Sequence, residues 1–248
     1  MFESSLFLAF IGLVFLLAGF VKGVIGLGLP TVAVGLLGLV MIPAQAAALL
    51  VVPSLVTNLW QLIAGPGLVR LMRRLWPMMA GICFGTWAGT GMLGGANAAH
   101  ATTALGLALV AYAVLGLASF RLNVPARTEG WLSPLVGAVT GWITAATGVF
   151  VIPAVPYLQA LDLEKDELIQ ALGLSFTVST IALALGLMYG GLLSQDMAGV
   201  SLLALLPAMA GMFLGQWLRG RVSPQAFRRW FFLGLLALGI HLAVKALL

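Results

Sequence analysis

Between Leu6 and Ile42 the chain runs for 37 residues with a single charged residue, Lys22. Two bilayer crossings need about 40 residues before any turn is counted, so something in this stretch must be short. Its centre, Gly19 to Pro30, reads GFVKGVIGLGLP. Glycine permits backbone angles that other residues resist, and proline ends helices. The expectation is therefore a helix from about Ser4 to Val21, a glycine break, and a half-helix from about Pro30 to Ile42. Backbone groups released by such a break find no water in lipid, so a break persists only where protein or a polar cavity satisfies them. That makes it a candidate site. The N–H groups opening a half-helix carry partial positive charge and favour a small anion, with Gly23, Gly26 and Gly28 as backbone contacts and Lys22 as countercharge.

The rest of the chain has the composition of a membrane protein. Hydrophobic residues make up 62% of its 248 positions and charged residues 8%, which no water-exposed surface of this size tolerates. The net charge of +5 would suggest nucleic acid in a soluble protein. Here the bases sit in short loops between apolar segments and act as determinants of topology. The single cysteine, Cys83, excludes an internal disulfide and a multi-cysteine metal site, and no cofactor is expected. Met1, Phe2 and Glu3 lack the basic start of a cleaved leader, so the first apolar segment is expected to stay as a membrane element.

Taken in order, Ala44–Ala64, Leu75–Gly95 and Ala98–Phe120 are each long enough to span, with Arg70, Arg73 and Arg74 between the first two. Arg121 to Gly130 turns polar and reads as a linker. The pattern then restarts. Gly19-x-x-x-Gly23 is matched by Gly137-x-x-x-Gly141, Gln45-Ala46 by Gln170-Ala171, and Pro77–Trp87 (PMMAGICFGTW) by Pro207–Trp217 (PAMAGMFLGQW) at an offset of 130 residues. Trp131–Leu161 is again too short for two clean crossings, and Leu168–Leu193, Met197–Leu218 and Ala226–Leu248 follow as spans. The fold expected is all-α and polytopic, built from two repeats, 1–120 and 131–248, around a cytoplasmic linker at 121–130. Each repeat holds one broken or re-entrant hairpin and three full helices.

Loop charges relate the repeats to each other. The loop bearing Arg70, Arg73 and Arg74 corresponds to one whose only charge is Asp196, whereas the uncharged turn from Gly94 to Ala99 corresponds to Arg219, Arg221, Arg228 and Arg229. Equivalent loops have exchanged basic character, as the positive-inside rule requires of repeats inserted upside down to one another. This inverted arrangement puts the basic loops in the cytoplasm and both termini outside, with Trp76, Trp131 and Trp230 as an interfacial belt. Asp162, Glu164, Lys165, Asp166 and Glu167 form an acidic cluster on the cytoplasmic side, either a solvated helix start or a gate.

No catalytic constellation is visible. His100 and His241 lie far apart without ligand spacing, and no carboxylate lies within a span. The spans instead carry small neutral polar groups: Gln45, Ser54, Thr57, Asn58 and Gln61 in one segment, and Gln170, Ser175, Thr177, Ser179 and Thr180 in its counterpart. Such groups donate hydrogen bonds without charge, which suits binding an anion and releasing it; they also serve to bond their own helices or neighbouring ones. The candidate substrate contacts are Lys22, Gly23, Gly26, Gly28, Gln45 and Ser54 from the first repeat, with Thr144, Thr147, Gly148, Gln170 and Ser179 from the second. Lys22 has Thr140 as its counterpart, so any charged contact is one-sided.

The run from Gly19 to Gly28 followed by Pro30, with Gly137-x-x-x-Gly141 leading to Thr147-Gly148 and Pro153, resembles the paired glycine-rich motifs of the TauE/SafE sulfite-exporter family. The likeness covers essentially the whole chain; the segment Thr144 to Phe150 carries fewer glycines than many members show. The resemblance implies a bacterial inner-membrane permease that moves small sulfur-containing or organic anions such as sulfite, sulfonates or sulfoacetate, commonly outward. Alternating access by rocking of the repeats is the mechanism expected, with a proton or sodium as candidate coupling ion and a homo-oligomer as candidate assembly. A passive anion channel and a membrane-embedded lipid-phosphate enzyme are the alternatives.

Overall fold

The computed structural model describes residues 5–94, 98–118, 123–221 and 223–245, and these form helices with no strand among them. Residues 1–4, residues 95–97 of the expected uncharged turn, residues 119–120 at the end of the expected Ala98–Phe120 span, residues 121–122 at the start of the linker, residue 222 and residues 246–248 of the last span lie outside the described residues. The helices are α1 (Ser5–Ile25), α2 (Leu29–Leu37), α3 (Pro43–Ile63), α4 (Leu68–Ala88), α5 (Ala98–Ala118), α6 (Ala126–Thr147), α7 (Ala154–Gln159), α8 (Lys165–Tyr189), α9 (Gln195–Leu218) and α10 (Pro224–Lys245). Six of them, α1, α3, α5, α8, α9 and α10, are long and apolar enough to cross a membrane. Large apolar side chains such as Leu6, Phe84, Trp87 and Leu206 stand exposed on the outer surface, as lipid rather than water would require.

Several boundaries differ from those read off hydropathy. Arg70, Arg73 and Arg74 sit in the opening turns of α4 rather than in a loop, and Arg127, Glu129 and Gly130 open α6 rather than belonging to a linker. Arginine is a good helix former, and a helix continues past the apolar limit into the polar boundary, where its long basic side chains reach water. Here Arg74 Nε donates to Glu129 Oε1 at 2.7 Å, and Arg70 is paired with Glu167, so these first turns tie α4 to α6 and α8. Trp76, Trp131 and Trp230 are exposed near the same ends.

Both expected breaks are present, with shifted edges. α1 runs to Ile25, four residues beyond Val21, and stops where Gly26, at φ 81°, donates its N–H to the Lys22 carbonyl at 2.7 Å. α6 stops the same way at Gly148, φ 75°, whose N–H reaches Thr144 O at 2.8 Å. A left-handed residue there closes the last carbonyls, and glycine takes that conformation without strain. The first half-helix is shorter than expected, α2 ending at Leu37 rather than Ile42; its counterpart α7 has six residues.

The glycines upstream of the breaks do something else. A Cβ on Gly19 or Gly23 would overlap the Ala208 or Met212 carbonyl of α9, and one on Gly211 or Gly215 would overlap Leu16 or Phe20 of α1. The same interlock joins Gly137 and Gly141 of α6 to Gly81 and Gly85 of α4. These are small-residue crossings that let two backbones touch, the usual source of helix association where lipid is as apolar as leucine. With α1–α5 and α6–α10 counted as two series, the first helix of each packs on the fourth of the other, third packs on third, and fifth on fifth. The Gly19-x-x-x-Gly23 and Gly137-x-x-x-Gly141 motifs are thus crossing motifs and not the breaks themselves. The break at Gly26 comes three positions after Gly23, but Gly148 comes seven positions after Gly141, so α6 runs about one helical turn further.

Candidate functional site

The centre of the molecule is where α3 and α8 cross, and α3 presents a polar face there. Ser54, Thr57, Asn58 and Gln61 follow the i, i+3, i+4, i+7 spacing that aligns side chains along one side of a helix, and all four are buried. Pro53 leaves the Leu49 carbonyl without its helical donor. Ser201 of α9 supplies one, its hydroxyl donating to Leu49 O at 2.8 Å, so the proline-bearing turn is held against α9.

Lys22, in the last turn of α1, enters this face and is 4% exposed. Its Nζ donates to Thr57 Oγ1 at 3.1 Å and to Asn58 Oδ1. Asn58 is oriented by its own donor, which reaches Ser54 Oγ at 2.9 Å and Thr180 Oγ1 at 3.4 Å; Ser54 and Thr180 are themselves 3.1 Å apart. Both groups that accept from the ammonium are neutral, and no carboxylate pairs with it among the described residues. An ammonium carries three donors, and burying such a group without an opposite charge is costly.

Lys22 lies against a cavity of about 250 Å³ whose other walls include Gly26, Trp60, Gln61, Ile169, Met212 and Arg219. Gly65 and Pro66 of the α3–α4 turn, with Asp166 and Gln216 near the ends of their helices, form its rim on the side that bears Arg70, Arg73 and Arg74. Arg219 belongs to both rim and framework. Its Nε donates to Val24 O at 2.8 Å, closing a carbonyl left open at the end of α1, and its Nη2 lies 3.4 Å from where a Gly26 side chain would begin. Gln61 holds the other side of the break, donating to Gly26 O at 3.2 Å and Ile169 O at 2.9 Å, while its Oε1 is buried without a protein partner.

The candidate residues divide accordingly. Lys22, Gly23 and Gly26 line the cavity, and Ser54 stands behind Asn58, which it joins to the Lys22 contact. Gly28, at φ 109°, instead faces Val21 and Phe231, and the following Leu29 is fully buried. The start of α2 is therefore packed by apolar side chains, and the positive groups at the cavity are two side chains, Lys22 and Arg219, rather than half-helix N–H groups. Gln45 lies in the first turn of α3, three turns from Asn58. Gln170 is engaged elsewhere: its Nε2 donates to Leu62 O at 2.7 Å and Gly65 O at 2.9 Å, and its Oε1 accepts from Gly67 N at 2.7 Å, clamping the α3–α4 turn.

In the second half, the Thr144 and Thr147 hydroxyls bond back to Thr140 O and Ile143 O of their own helix, both at 2.7 Å, and Thr147 Oγ1 also accepts from Val149 N at 3.1 Å. Gly148 faces Ala47 of α3, and Ser179 Oγ is buried without a protein partner. Thr140 bonds to Val136 O at 2.8 Å, so the two breaks are chemically unlike. Asn58, Thr57, Gln61, Thr180 and Arg219 are the site residues that the sequence alone did not single out as contacts. The spacing of 54, 57, 58 and 61 on one helical face was the available signal; nothing local marks Arg219, which reaches the site from 195 residues away.

No group of histidine, cysteine or acidic side chains able to hold a metal occurs among the described residues, and His100 and His241 are exposed. The site's chemistry is that of two cations and neutral polar groups around a small volume, with one carboxylate, Asp166, at its rim. Comparisons with curated proteins and with solved structures return no match. The family model described as "Sulfite exporter TauE/SafE" matches residues 11–242, nearly the whole chain. On that match the chain belongs to the TauE/SafE sulfite exporter family of membrane transport proteins.

Proposed function

We propose that this protein is a secondary transporter of small sulfur-containing or organic anions, such as sulfite, sulfonates or sulfoacetate, and that the anion binds between Lys22 and Arg219. The observation that carries the reading is the Lys22 ammonium, 4% exposed and held only by neutral oxygens at the edge of a 250 Å³ cavity. An oxyanion there completes the missing charge, and its remaining oxygens meet Arg219 and the Gln61 region. The volume suits a small solute, and two flanking cations suit a tetrahedral or pyramidal oxyanion better than a neutral one.

The transport cycle follows from the packing. The exchange of basic loops between equivalent positions, and the reciprocal packing of α1 on α9 and α6 on α4, support two inverted repeats, with boundaries near 1–120 and 131–248. The cavity rim lies on the basic side, which the positive-inside rule assigns to the cytoplasm of a bacterial inner membrane, with the termini opposite. The conformation is then open inward. Rocking of one set of helices against the other closes this rim and opens a path past the second break, carrying the anion outward, with a proton or sodium as coupling ion.

The test is anion binding to the purified protein in detergent, by thermal shift, across sulfite, taurine-like sulfonates, sulfoacetate, sulfate, phosphate and acetate. Stabilisation by a sulfur oxyanion that disappears in Lys22→Met supports the reading. Stabilisation of equal size in Lys22→Met removes Lys22 from the site, and stabilisation by none of these anions removes the substrate class.

A further inference from the structure

A second, larger cavity of about 760 Å³ lies between α1, α5, α7, α8 and α10. Its volume falls within the roughly 300–1,000 Å³ of typical small-molecule sites. It is amphipathic. Lys165, Arg219 and Arg228 stand on its lining and no carboxylate does among the described residues, while Leu115, Leu172 and Phe232 represent a largely apolar wall. Arg219 is shared with the smaller cavity, but the walls from α5, α7 and α10 are not.

Its position matters as much as its lining. Arg228 is in the first two turns of α10, two residues from the exposed Trp230, and Lys165 opens α8, so the cations sit at the level of the polar boundary. The Arg228 guanidinium is already oriented: it lies 5.5 Å above the Phe232 ring and donates to Gly116 O at 3.4 Å. Leu115 is 39% exposed, which brings the apolar edge of the cavity out to the lipid-facing surface. A soluble anion would have no use for that edge, and a neutral lipid none for three cations.

We propose that this cavity binds an anionic phospholipid from the basic side of the membrane, its phosphate held by Lys165, Arg219 and Arg228 and an acyl chain lying along Leu115, Leu172 and Phe232. Basic recesses between transmembrane helices are suited to such headgroups, because the charges need not leave the interface to meet them.

The experiment measures the melting temperature of the detergent-purified protein with added dioleoyl phosphatidylglycerol, dioleoyl phosphatidylcholine or inorganic phosphate. The expected result is stabilisation by phosphatidylglycerol alone, reduced by more than half in Lys165→Gln/Arg228→Gln. Leu115→Trp, which fills the apolar edge and leaves every cation in place, is expected to reduce the same shift and serves if the double variant does not fold. Equal stabilisation by phosphatidylcholine overturns the charge requirement, and equal stabilisation by inorganic phosphate makes this a soluble-anion site. A phosphatidylglycerol shift unchanged in the variants places the lipid elsewhere; each of these results overturns the proposal.

Discussion

Lys22 of α1 and Thr57 of α3 are joined across the break, Nζ donating to Oγ1 at 3.1 Å, while the same hydroxyl donates to Pro53 O at 2.7 Å. Thr57 is thereby fixed as an acceptor toward the lysine, and the ammonium is held in place by groups that leave its charge uncancelled. Affinity for an anion and the low stability of a lone buried charge are two consequences of one arrangement.

Lys22→Met separates those consequences. A charge-assisted hydrogen bond contributes about 1.5–3 kcal/mol, so anion affinity falls by roughly 10–100-fold. The apolar replacement fits the burial of this position, and the melting temperature without ligand stays level or rises. Ligand titration and unliganded melts on the same preparation check both halves.

Asn58→Asp retains the shape of the side chain and places a carboxylate against the ammonium. The internal ion pair then competes with the substrate, and sulfite-induced stabilisation is lost although the protein folds. A sulfite shift of parental size in this variant would show that the anion does not meet Lys22.

The two break glycines respond differently to a side chain. Both have positive φ, a conformation that costs an L-residue about 1–2 kcal/mol. Gly148→Val adds a clash, since its Cβ would stand 2.9 Å from Ala47 Cβ, and the expected result is a lower melting temperature. Gly26→Val points beside Arg219 at the cavity wall, so it abolishes transport with a smaller loss of stability. Melts and vesicle flux assays on the pair distinguish the two effects.

Gly211→Ile forces α9 away from the Leu16 carbonyl of α1 and prevents accumulation of folded protein. Gly12→Ile, on the same α1 helix but with open space around its Cβ position, leaves expression and melting unchanged. Size-exclusion profiles of the two variants provide the comparison.

Gln170→Ala removes three hydrogen bonds that hold the α3–α4 turn, at about 1 kcal/mol each. The expected loss is about 3 kcal/mol of stability, with Lys22 and the affinity per folded molecule unaffected. A selective loss of affinity with an unchanged melt would instead return Gln170 to the binding site.

Much of this was legible in the chain itself. Apolar segments of about twenty residues set the helices. The glycine- and proline-bearing runs 19–30 and 137–153 announced both breaks, because their backbone preferences are local properties, although the helices run on to Gly26 and Gly148 within them. Hydropathy misplaced the starts of α4 and α6, since it registers where lipid ends and not where the helical hydrogen bonds do.

What each glycine does was decided by tertiary structure. Gly19, Gly23, Gly137 and Gly141 look like the break glycines in sequence, yet they meet the backbones of α9 and α4, partners more than 50 residues distant. Gln170 likewise matches Gln45 in the repeat but clamps a turn, because the α3–α4 carbonyls happen to lie within its reach.

The sequence by itself determined a helical membrane protein with two interrupted segments and one charge in the first of them, for composition and local backbone chemistry suffice for that. Only the tertiary structure decided that Lys22 faces Asn58 and Thr57 rather than lipid or a headgroup, and that Arg219 stands across a cavity from it. The physical reason is that a buried charge is defined by its surroundings, and those surroundings come from α1, α3, α8 and α9, brought together by helix crossings that no single stretch of chain encodes.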